Sequence, residues 1–180
     1  MQSRWSRLHL ELTSYNVPIR PGNVHVPPIV LKDYLHSIIE HFIKFGQKRF
    51  VIIMGHGGPE MTNAVVEACN NLCDSYDASI AVFHIARILE ELGLVDTSID
   101  KHAGMWKTSI IMAIDDDLVR DLDVYRRIEP RKYGVVGNPL EASPELGLKL
   151  IEAVISHIED FIRSFRSEEC YYNWLDKETC

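Results

Sequence analysis

Leu31, Tyr34, Leu35, Ile38, Ile39, Phe42 and Ile43 recur at spacings of three and four, which predicts a helix from Val30 with one apolar face. Gly46 follows as its C-terminal stop. "RFVIIM" is then a continuous apolar run with β-branched residues, which predicts a strand buried on both faces. "GHGG" is the turn after it, and Pro59 opens a second helix running to about Cys73. "SIAVFHI" predicts a second buried strand, leading into the helical "ARILEELG" that Gly93 ends.

Before these elements, "RLHLELTSY" alternates apolar and polar and reads as a strand. "VPIRPGNVHVPP" holds four prolines and a glycine and reads as a loop or short extended segment. After them, "VDTSIDKHAGMW" is polar and irregular, and "KTSIIMAI" fits one side of a helix. "DDDLVRDLDV" reads as a solvated helix face, and "YGVVGNPLEAS" as a turn region. Ser143 and Pro144 suit the N-cap and first position of a last long helix. Its apolar face is Leu150, Ile151, Val154, Ile155, Ile158, Phe161, Ile162 and Phe165. Strands alternating with helices predict an α/β fold with a largely parallel sheet flanked by helices. It is expected as one domain over residues 1–167, with residues 168–180 as a C-terminal tail.

Composition narrows the function. The 180 residues carry a net charge of -7, and that acidic balance argues against nucleic acid as the main partner. No apolar run approaches a membrane span, and the start lacks a signal-peptide core, so a cytoplasmic protein with no membrane partner is expected. The four cysteines are expected as reduced thiols, with Cys69 and Cys73 in the core of a helix.

Two loops hold the candidate chemistry. In a parallel sheet the ligand crevice lies beyond the carboxyl ends of the strands, where His56 follows "RFVIIM". A histidine there ligates a metal, moves protons, or simply hydrogen-bonds its turn; the residues alone favour the last. Gly57 and Gly58 let the backbone turn tightly and approach a ligand. Glu60, four residues on, reads as charge at a helix N-terminus. In "DKHAGMWKTS", Asp100 either orients the ring of His102 or solvates the loop, and Trp106 either walls a site or packs. His84, inside "AVFHIARI", reads as a core histidine.

In order along the chain, "RPGNVHVPP", "FGQKRFVIIMGHGGPE", "DKHAGMWKTSIIMAI" and "YGVVGNPLEASPELGLKL" resemble four blocks of the creatininase family of metal-dependent amidohydrolases. The resemblance covers roughly Pro18 to Phe165. It implies an α/β fold, a homo-oligomer, a zinc or manganese site, and hydrolysis of a C–N bond in a small cyclic or linear amide; a hetero-oligomer is the other expected assembly, with a separate subunit supplying missing ligands. By that resemblance His56 is a metal ligand and His102 an acid/base residue; Gly57, Gly58 and Trp106 are expected, from their own chemistry, as contacts to the substrate. Family members usually begin with a block like "E-x-H-G-x-H-L-P-x-x-T-D" that provides several ligands; this chain is expected to be N-terminally shortened and to start after it. Met105 and Lys107 stand where the family often has Glu, while Met54 and Pro59 replace Asn. Met ligates hard or borderline dications poorly, and a lysine ammonium repels a metal or mimics one. These losses leave open an alternative, a non-catalytic family member serving as an assembly or ligand-binding subunit.

Overall fold

The computed structural model describes residues 26–165 and 170–173. The strand expected at "RLHLELTSY" lies outside them. The elements run α1 (Pro28–Lys44), β1 (Arg49–Met54), α2 (Pro59–Ser75), β2 (Ser79–His84), α3 (Ile85–Glu91), α4 (Met105–Ile114), α5 (Pro144–Ser164) and β3 (Tyr171–Tyr172). The result is α/β, with β1, β2 and β3 forming one parallel sheet in that order. The chain divides into two compact units, residues 1–84 with 166–180, and residues 85–165.

In the first unit, Ile39 of α1 and Val65, Cys69 and Leu72 of α2 close over Ile80 and Val82 of β2. The inner row of α1 is Leu31, Leu35, Ile39 and Ile43, while Tyr34, Ile38 and Phe42 of the expected face stay exposed. Gly46 has the left-handed φ of +90° that a helix stop requires of glycine. β2 is central, and every residue from Ser79 to Phe83 is buried. β1 differs from expectation: it pairs with β2 along its length, yet Ile53 is 54% exposed. Apolar composition alone does not distinguish a strand covered on both faces from one covered on one.

The C-terminal residues also differ from expectation. Tyr171 and Tyr172 pair with Ala81 and Val82, so the segment expected as a tail supplies a strand. Cys73 and Cys170 are disulfide-bonded, with their Cα atoms 6.3 Å apart, which corrects the expectation of reduced thiols. The physical reason is that pairing of β3 with β2 brings Cys170 to α2, 97 residues away in sequence. Cys69 remains a buried free thiol, and burial pushes its pKa up to about 12.

In the second unit, Leu89, Trp106 and Leu150 form the core, with α4 packed along α5. Ser143 caps α5 as the sequence predicts, its hydroxyl accepting the Leu146 N–H at 3.2 Å. The acidic stretch after α4 is not an α-helix face but 3-10 turns at Asp116–Leu118 and Leu122–Arg126. Asp115 and Asp121 cap them by accepting the N–H two residues on, a local bond that competes with helix continuation. Among the described residues no helix is long and apolar enough to cross a membrane.

Candidate functional site

His56 and His102 stand in different units, so each loop is built separately. In the first unit, β1 ends at Met54 and the chain turns through Gly55–Gly58 into α2. Gly58 occupies the N-cap position with Pro59 after it, and its carbonyl accepts the Thr62 N–H at 2.9 Å and hydroxyl at 3.1 Å. His56 is half-buried in this turn. Beside it, β2 ends at His84, which is in register with Met54. A Cβ on Gly57 would strike the His84 ring, lying 2.7 Å from Cε1 and 2.9 Å from Cδ2. The His84 N–H donates to Asn173 Oδ1 at 2.9 Å, and the Asn173 N–H donates to the Val82 carbonyl at 3.2 Å.

In the second unit, the backbone around His102 is clamped from the opposite segment. The Lys101 and His102 N–H groups donate to the Val136 carbonyl at 2.8 and 3.1 Å, and the Val136 N–H returns to the His102 carbonyl at 2.7 Å. His102 itself is exposed. Ala103 then takes φ +48°, a left-handed conformation unusual for a residue with a side chain, and Gly104 starts α4. Asp100 lies beneath, only 7% exposed. Its Oδ2 accepts the Trp106 N–H at 3.2 Å, which satisfies an orphan donor at the α4 N-terminus. The Trp106 indole N–H donates to the Asp100 carbonyl at 2.9 Å. Asp100 Oδ1 is buried without a hydrogen-bond partner, against Gly104 and Gly137.

Residues 11–162 match the family model described as Creatininase, creatinine amidohydrolase, which is most of the 180 residues. The chain belongs to the creatininase family. No curated protein gives a significant match.

Creatininase-family members are generally metal-dependent. Among the described residues no three His, Cys, Asp or Glu side chains group closely enough to hold a metal ion. A catalytic zinc takes about three protein ligands. The described donors therefore do not fit the metal centre that the creatininase resemblance implies. Lys107 places its ammonium 5.1 Å from the Trp106 ring centroid, a cation–π contact.

Gly57 and Gly58 border His56 in the first unit, and Trp106 is on α4 behind His102 in the second. Trp106 is 3% exposed and packs with Leu89 and Leu150. Asp100, read from sequence as orienting His102 or solvating its loop, is instead the buried cap of α4. His84 is not enclosed in the core but half-buried at the end of β2, and Asn173 beside it had no sequence signal beyond the β-forming "YY" before it.

Proposed function

We propose that this chain hydrolyses a C–N bond in a small cyclic or linear amide, with His102 transferring the proton. The observation that carries the reading is the contrast between the clamped backbone of His102 and its exposed side chain. Paired hydrogen bonds to Val136 and a capped helix behind fix where the imidazole starts, and an imidazole is the side chain best suited to accept and return a proton. In amide hydrolysis, water adds to the carbonyl carbon and the C–N bond then breaks. His102 takes a proton from the attacking water and delivers it to the leaving nitrogen.

Trp106 serves by anchoring the loop that carries His102, because its ring is occupied by the core. Gly57 and Gly58 let backbone approach a bound molecule at the carboxyl end of β1. His56 is the metal ligand that the family resemblance implies, while zinc or manganese chemistry needs donors beyond the described set. Proton transfer is thus the part of the reaction that the described residues account for.

The test is a panel of creatinine, other cyclic amides and ureas, and linear amides, incubated with the purified full chain with zinc or manganese added. Gain of one water by mass on at least one substrate is the expected result. No turnover anywhere on the panel overturns the reading.

A further inference from the structure

We propose that His84 and Asn173 are positioning residues for the Gly55–Gly58 turn, and so for His56. The proposal rests on the function above only for what His56 does; the packing argument stands without it. Position 57 is where it begins. Gly57 is not among the described glycines with positive φ, so its backbone does not require glycine. What requires it is the His84 ring, because an added Cβ would approach Nε2, Cε1 and Cδ2 more closely than real Cβ contacts allow. The turn and the ring are therefore fitted to each other.

His84 is in turn held from the C-terminal segment. Backbone pairing of β3 with β2 covers Ala81 and Val82 only. Beyond it, the Asn173 side chain accepts the His84 N–H at 2.9 Å and carries support to the end of β2. Asn173 is 7% exposed, and its Nδ2 is buried without a partner. A buried unpaired amide group is costly, so an apolar residue would suit the site better but for the bond that Oδ1 makes. A two-residue strand does not hold itself in place. The Cys73–Cys170 bond fixes one end of this segment, and the Tyr172 hydroxyl donates to Asn70 Oδ1 at 2.7 Å. Support thus runs from α2 through Cys170 and Tyr172 to Asn173, then to His84 and the glycine turn.

The test uses the full chain, with the ring 1H–15N correlations of His56 and His102 recorded at one fixed pH. Asn173→Ala and Cys170→Ser are expected to move the His56 signal and leave that of His102 in place. Asn173→Asp, which keeps an acceptor for the His84 N–H, is expected to restore it in part. Gly57→Ala alone is expected to move the His56 signal and lower Tm, and His84→Ala in the same chain to recover most of the Tm loss, because the ring that blocked the Cβ is gone. Additive effects of Gly57→Ala and His84→Ala overturn the proposal, as does an unmoved His56 signal in Asn173→Ala. If Asn173→Ala does not fold, the Gly57 and His84 cycle decides alone. These signals are read without substrate, so a failure of amide hydrolysis and a failure of this proposal are distinguishable. Where turnover is found, Asn173→Ala is expected to lower kcat more than it raises KM.

Discussion

Trp106 bonds Asp100 twice, through its backbone N–H to Oδ2 at 3.2 Å and through its indole N–H to the Asp100 carbonyl at 2.9 Å. One buried carboxylate therefore caps α4, while the same residue's backbone holds the core tryptophan. His102 lies between these partners in sequence, so its loop is closed on itself.

Asp100→Ala is expected to destabilise the protein by about 2 kcal/mol, the usual scale for losing a charge-assisted bond and helix cap. Asp100→Asn keeps an acceptor and should lose less. Urea denaturation measures both. An Asp100→Ala variant within about 0.5 kcal/mol of the parent, the usual range for neutral surface changes, would remove the cap from the account.

Gly147 gives a prediction of opposite sign to helix propensity. Alanine within a helix is ordinarily favoured over glycine by about 1 kcal/mol. Here a Cβ would press on the backbone of Ser109, 2.5 Å from its carbonyl carbon, and on Ala113 Cβ at 2.7 Å. Gly147→Ala in α5 is therefore expected to lower Tm, at a cost of about 1–3 kcal/mol from overpacking. A raised Tm would mean that α4 and α5 do not approach this closely.

The cysteines should separate by alkylation. With a thiol pKa of about 12 and a fully buried side chain, Cys69 is expected to resist iodoacetamide at pH 8 in the folded protein. Denaturation without reductant should expose Cys69 while Cys73 and Cys170 stay protected until a dithiol is added. Peptide mass mapping reads each site. Modification of Cys73 in unreduced protein would contradict the crosslink.

Glu90 sets an acid limit in the second unit. Hydrogen bonding from the Thr97 side chain, then from its backbone N–H, holds the Glu90 carboxyl below its usual range against the opposing effect of burial. A depressed folded pKa contributes stability above the unfolded value, about 4.3, and that stability is lost as pH falls through the folded pKa. Thr97→Val should thus be less stable than the parent at pH 6, with the gap closing in strong acid. A gap that is constant with pH would assign the loss to packing.

Local signals make much of this fold legible in sequence. The spacing of Leu31, Leu35 and Ile39, the apolar strands, Pro59, and the Ser143–Pro144 cap each declare an element through their own residues. Long-range consequences are less legible. Nothing near Cys170 announces that Tyr171 and Tyr172 pair with Ala81 and Val82, and the disulfide follows from that pairing. The acidic stretch misleads because charge spacing fits a helix face, while the capping bonds of Asp115 and Asp121 are settled residue by residue. At the candidate site, the histidines and glycines are visible as motifs. Their supports are not, since Asp100 and Asn173 are polar residues whose burial depends on what folds over them.

The central claim is that His102 carries proton transfer in hydrolysis of a small amide. The most direct measurement is kcat for the best substrate in the parent and in His102→Ala, with Tm recorded for both. The account predicts a fall of about 10²–10⁴-fold, the scale of general acid–base catalysis, at a Tm close to the parent's. Equal kcat in the two proteins would contradict it.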